Sequence, residues 1–174
     1  DVSLQRLVGF AISPPLKRAF GDPMTTPNVL RAIFAEMGQR PGDDQFFVLN
    51  YDGEFTPYSR YSVVAGTQTA EDRMLKYLLP GESGAFPDLN TALERALMAW
   101  AAGRRVSAFR SPDEETELGG AEKEEEQLLT FLKEGLGDLA VEAALLERNT
   151  TRENKFRLLR ETEVAPRLNA LTKN

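Results

Sequence analysis

The stretch Gln45-Phe-Phe-Val-Leu-Asn-Tyr51, followed at once by Asp52-Gly53, constrains this chain more than any other feature. Aromatic and branched residues suit a pleated, half-buried ribbon, and aspartate–glycine is a strong short-range turn signal because glycine accepts φ > 0. Glu54-Phe55-Thr56 returns the chain. From Tyr58 to Ala65 the residues Tyr61, Val63 and Ala65 alternate with Arg60, Ser62 and Val64, which predicts a further strand ending at Gly66-Thr67. Strands joined by such tight turns pair antiparallel.

Helical patterns flank this ribbon. Val29, Leu30, Ile33, Phe34 and Met37 fall at helical spacing, with Thr26 as cap, Pro27 at the favoured first position and Gly38 as stop, so a helix is expected over 29–37. Upstream, Leu4, Leu7, Val8 and Phe10 fit a short helix or a strand that Pro14-Pro15 would stop, and residues 21–28 read as loop. Downstream, residues 69–79 predict a helix capped by Thr69, with Ala70, Met74, Leu75 and Leu78 inward. A loop over 80–87 leads to a strongly amphipathic helix capped by Asp88 or Asn90, with Leu89, Leu93, Leu97 and Trp100 as its buried stripe and Gly103 as its end.

The closing third reads as a helix over 122–134 with Leu128, Leu129 and Leu132 apolar, a break at Gly135-Leu-Gly137, and strands over 139–146 and 155–159. Asn149 to Arg152 lie between those strands, and a short helix covers 164–171. The order predicts an α/β (α+β) domain with helices layered on a mostly antiparallel sheet. At 174 residues, one domain over 1–174 is expected.

Composition narrows the chemistry. The chain has no cysteine and no histidine, which removes disulfides, thiol nucleophiles, the usual zinc ligand sets and any Ser-His-Asp arrangement. The net charge is −6, but residues 113–126 (DEETELGGAEKEEE) carry eight acids and one lysine, so the rest of the chain is close to neutral. That run reads as a solvated face, and it overlaps a mobile, acidic insertion expected over 104–121. Lys17-Arg18 and Arg104-Arg105 are too small to make a basic stripe, so no nucleic-acid partner is expected. No apolar run approaches the roughly 18 residues of a membrane helix, and the first fifteen residues lack a signal-peptide pattern, so no membrane association is expected.

The order of features from Gln45 to Trp100 carries a resemblance. QFFVLNYDGEFTPYSRYSVVAGTQTAEDRMLKYL resembles the second half of proteasome-type subunits. In that family a strand ends in an aspartate- or proline-glycine turn, a short return leads to a strand closed by a glycine–threonine-like junction, and a helix follows. PDLNTALERALMAWAAG is similar to the family's next helix, GDLAVEAALLERNTTRENKFRLL to its closing pair of strands, and EVAPRLNAL to the last helix of α-type members. The matched parts are residues 45–103 and 137–171. The resemblance implies an αββα sandwich of the N-terminal-nucleophile hydrolase class, with a reduced or missing first half, because only 44 residues precede the matched strand.

Active members of that family use an N-terminal threonine whose own amino group is the base. Asp1 has no hydroxyl, and Thr25-Thr26, between Pro23 and Pro27, read as loop and cap residues. The paired acids Asp43-Asp44 and Glu71-Asp72 have the chemistry for acid–base work or a divalent cation, but a turn and a first helical turn give them structural roles. Gly119-Gly120 lacks the lysine and spacing of a phosphate loop, and Trp100 continues a core stripe. No catalytic, cofactor-binding or metal residue is therefore expected, and no cofactor.

The resemblance implies a non-catalytic α-like scaffold that forms a ring around a proteolytic partner in the cytoplasm, as a homo- or hetero-oligomer of protein subunits. Two other readings stay open. One is an N-terminal-nucleophile hydrolase (a threonine-type peptidase or amidase) whose nucleophile lies on a segment outside this sequence. The other is an interaction module built on the acidic run. Leu4, Leu7, Phe10, Leu16 and Phe20, together with residues 29–37, exceed what one small sheet face covers, which fits an oligomer interface or a small helical layer within the monomer.

Overall fold

The aromatic run does build a hairpin. In the computed structural model, which describes residues 2–79, 88–108, 121–136 and 139–172, β2 (Gln45–Leu49) pairs antiparallel with β3 (Phe55–Tyr58), Leu49 opposite Phe55. The turn is a three-residue loop rather than a two-residue one. The Gly53 N–H donates to the Asn50 carbonyl at 2.9 Å, the Asn50 N–H donates to the Glu54 carbonyl at 2.9 Å, and Gly53 sits at φ +79°. A tight turn closed by a left-handed glycine matches the twist of the strands.

The helix expected over 29–37 does not form; its centre, residues 32–36, is strand. β1 (Ala32–Glu36) pairs antiparallel with β2, with Ala32 opposite Leu49, Phe34 opposite Phe47 and Glu36 opposite Gln45. Alanine, glutamate and methionine favour a helix locally. The aromatic β2 offers backbone partners and a buried face for Phe34, and that tertiary gain decides the conformation. The extension of the ribbon through Tyr58 to Ala65 is also corrected: strand pairing stops at Tyr58, and 61–65 join neither sheet.

The N-terminal segment is helical through the proline pair. α1 (Leu4–Arg6) passes into a π-helical stretch (Leu7–Ile12) and then α2 (Ser13–Gly21). The Ser13 N–H reaches back five residues to the Val8 carbonyl, and the two prolines fall in the first turn of α2, where their missing N–H groups cost least. Val8 and Leu16 pack with Leu49 in a buried cluster that Leu4, Ile12, Phe34 and Phe55 enclose, so the helix lies on one face of the three-stranded sheet. Two polar contacts fix it there. The Glu36 carboxylate accepts from the Leu4 N–H at 3.1 Å, and the buried Ser13 hydroxyl donates to the Gly53 carbonyl at 2.6 Å.

The chain, expected as one domain over 1–174, divides into two compact units, Asp1–Val64 and Ala65–Asn174. The second is mainly helical. α3 (Gln68–Leu78) is capped by Thr67, two residues before the expected Thr69, its hydroxyl accepting from the Ala70 N–H at 3.2 Å. Asp88 rather than Asn90 caps α4 (Leu89–Ala108), accepting from the Thr91 N–H at 2.8 Å. Gly103 does not end α4; the helix continues through Arg104-Arg105, and Gly103 is the point where α3 and α4 touch, Met74 lying against it. Residues 104–108 are thus helical rather than part of a mobile insertion, while 109–120 and the expected loop over 80–87 lie outside the described residues.

α5 (Ala121–Leu136) supplies Leu128, Leu132 and Leu136 to a core completed by Leu97, Met98, Ala101 and Ala102 of α4. The buried stripe of α4 is therefore rotated from the expected one: Leu97 is buried, Leu93 and Trp100 are half-buried, and Leu89 is exposed. α6 (Glu161–Thr172) begins three residues earlier than expected and packs Leu168 and Leu171 on the same core. The closing strands shrink to β4 (Ala144–Leu146) and β5 (Phe156–Leu158), paired antiparallel with Leu145 opposite Arg157. The architecture is α+β, with two small antiparallel sheets.

Candidate functional site

The acids and threonines weighed in the sequence are held in structural roles. The Asp43 carboxylate accepts from Arg40 at 3.0 Å and Asp44 from the Gly38 N–H at 2.9 Å, so both brace the β1–β2 connection. Glu71 is buried and accepts from the Ala65 N–H at 2.9 Å, pinning the entry to α3, and Asp72 accepts from the Gln68 side chain at 2.9 Å. The Thr25 hydroxyl donates to Asp22 at 2.8 Å, and Thr26 lies in the exposed loop before β1. Among the described residues, no group of three or more acidic side chains converges as a metal site would require. None of their helices is long and apolar enough to cross a membrane.

The β4–β5 hairpin builds with α6 a charge network that periodicity and motif spacing do not reveal. Both terminal nitrogens of Arg157 bond the two oxygens of Glu163 at 2.9 Å, while its Nε bonds Glu147 at 2.7 Å. Arg152 bonds the second oxygen of Glu147. The paired, planar geometry suits a guanidinium fork. Hydrogen bonds from Arg157 hold the Glu163 and Glu147 carboxyls below the ordinary glutamate value, and the two carboxylates in turn raise Arg157. The signal was present in the sequence as opposite charges on the two hairpin arms and a glutamate in the first turn of the next helix.

Beside this network lies the concave surface of the second unit. Residues 139–143 run into β4, but β5 is too short to pair with all of them, and only Ala143 is reached, through the Leu159 N–H at 2.8 Å. The unpaired run walls a trough of about 390 Å³ whose other side is Leu158, Leu159, Val164, Ala165 and Leu168. A second hollow of about 350 Å³ lies between the same run and the Leu93, Leu97 and Trp100 side of α4. The first trough is aliphatic except for two carboxylates, Glu142 and Glu161, both exposed. Its chemistry is that of binding: apolar walls accept an apolar group, and the rim attracts positive charge.

No family model, no curated protein and no solved structure matches this chain.

Proposed function

We propose that this chain is a non-catalytic, proteasome α-like scaffold subunit that assembles with other subunits into a ring. The observation that carries the reading is the succession of elements: β2, the Gly53 turn, β3, the Gly66-Thr67 junction feeding α3, then α4, and later the β4–β5 hairpin and α6. That succession follows the order of the family resembled except at one element: β3 at 55–58 is the short return, and the strand expected over 58–65 ahead of the Gly66-Thr67 junction is missing. Supporting it, the surplus apolar residues of the first unit divide into two sets. Leu4, Leu16 and Phe34 serve its own core, whereas Leu7, Phe10, Phe20 and Ile33 remain exposed, Phe10 at 82% and Ile33 at 43%. Exposed aromatic and branched side chains of this kind are what a subunit contact consumes.

The test is native mass spectrometry of the whole chain, with and without an Ile33→Asp change. An oligomer that falls to a folded monomer in the variant supports the reading. A strict monomer at micromolar concentration, for the unmodified chain with candidate partner subunits present, overturns it. Phe34→Asp is the contrasting control: Phe34 packs against Val8, Leu16 and Leu49, so a charge there unfolds the first unit rather than dissociating an assembly.

A further inference from the structure

We propose that the trough beside residues 139–143 binds an extended peptide that carries an apolar side chain next to a lysine or arginine. The inference is independent of ring assembly and concerns the second unit alone. Three features of the trough select this occupant. Its walls, from Leu158 and Leu159 on one side to Val164 and Leu168 on the other, offer an aliphatic slot that excludes a polar side chain. Its two charged lining residues are both acidic, Glu142 and Glu161, and neither is in an ion pair. The neighbouring acids Glu147 and Glu163 are already paired, Glu147 with Arg152 and Arg157 and Glu163 with Arg157 and Arg160, which leaves Glu142 and Glu161 as the carboxylates at the slot without an ion-pair partner among the described residues.

The third feature separates a peptide from a lipid-like amine. Residues Ala140, Val141 and Glu142 lead directly into β4 but lie in no helix or strand, and their main-chain N–H and C=O groups have no partner among the described residues. An extended peptide laid along them gains main-chain hydrogen bonds, the basis of strand addition, while its alternate side chains face the slot. An alkyl ammonium ion satisfies the walls and the carboxylates but leaves those main-chain groups unpaired. The occupant that uses all three features is a short strand with an apolar residue in the slot and a basic residue at Glu142 and Glu161.

Fluorescence anisotropy with the full chain tests this, using three labelled ten-residue probes that alternate leucine–lysine, leucine–glutamate and serine–lysine. The expected result is saturable binding of the leucine–lysine probe, with the other two at least about tenfold weaker. A Glu142→Lys, Glu161→Lys double variant should lose about tenfold in affinity with an unchanged circular dichroism spectrum, since both side chains are exposed. Ala165→Trp, which fills the slot, should do the same without altering charge. Equal binding of the serine–lysine probe would mean simple attraction to the acidic run at 113–126 and overturns the proposal. So does binding that survives the double variant, or displacement of the peptide by dodecyltrimethylammonium at concentrations equal to those of unlabelled peptide.

Discussion

Gly53→Ala tests the central claim about the first unit, that the hairpin turn is built against the backbone of α2. Gly53 sits at φ +79°, where a side chain costs about 1–2 kcal/mol. The position is also crowded: a Cβ there would lie 2.5 Å from Lys17 Cγ, 2.7 Å from the Ser13 carbonyl oxygen and 2.9 Å from the Lys17 nitrogen. Two of those three atoms are backbone, so the turn and α2 must part, which adds about 1–3 kcal/mol of overpacking. Parting them also lengthens the buried Ser13–Gly53 hydrogen bond, now 2.6 Å, whose loss costs about 1 kcal/mol. The expected total is about 3–6 kcal/mol.

Gly42→Ala is the internal reference. Gly42 lies at φ +99° with nothing within 4 Å of its added Cβ, so it pays the backbone cost alone. Hydrogen exchange of the Phe47, Val48 and Leu49 amides, which lie in the buried strand of the same unit, reads both variants on one scale. The opening free energy should fall further in Gly53→Ala than in Gly42→Ala by about 2–4 kcal/mol. Equal effects would mean that the turn does not rest on α2, and the account of how the helix is seated on the sheet would fail.

Other positions give contrasting outcomes. Gly103→Ala should be close to neutral in urea unfolding, because the atoms its Cβ meets are the Sδ and Cγ of the flexible Met74 and a helix gains about 0.8–1 kcal/mol from the exchange; Gly103→Leu should cost about 1–3 kcal/mol. Leu132→Ala, which empties a fully buried site between α4 and α5, should cost about 2–5 kcal/mol by the same assay. The Arg157 network predicts a pH dependence. Glu147 and Glu163 titrate below their ordinary value when folded, so their stabilisation is complete above the unfolded glutamate range and is lost as pH falls through the lowered folded values. The difference in Tm between the native chain and Arg157→Gln should therefore be largest near neutral pH and shrink on acidification. A difference that stays constant into the acid range would show that Arg157 acts by packing alone.

The parts of the fold legible in the sequence are those where local chemistry and tertiary packing agree. Gln45–Leu49 is aromatic, branched and followed by a glycine that must be left-handed, and it forms a strand and turn as written. Residues 32–36 are the opposite case. Their apolar spacing fits a helix and a strand equally, their propensity favours the helix, and only the neighbouring β2 settles the matter. Pro14-Pro15 misled for a related reason, since prolines stop a helix in its interior but not in a first turn, and the preceding π-helical stretch places them in one. Gly103 reads as a helix stop because glycine usually is one; in α4 it leaves room for Met74 of α3, which lies against it.

The trough illustrates why a site can be hidden even when its elements are legible. The strand expected over 139–146 forms only at Ala144–Leu146, because a residue joins a ladder only where the partner arm lies opposite it. The partner arm offers only Phe156–Leu158 before Arg160 and the α6 N-terminus turn it away. Arg157 enforces that turn, because its bonds to Glu163 hold the start of α6 beside β5 and leave the chain no room to continue as strand. Residues 140–142 are left outside the ladder with their main chain unused, and α6 becomes the opposite wall of the space they border. The mismatch between the two arms creates the concavity, and the ion pair that fixes the mismatch also removes the nearby competing charges. Lengthening β5 by one further pair, by replacing Arg160 and Glu161 with valine and threonine, should therefore close the trough, protect the Val141 amide from exchange and abolish peptide binding together. Protection of that amide without loss of binding would show that the unpaired main chain is not what the peptide uses.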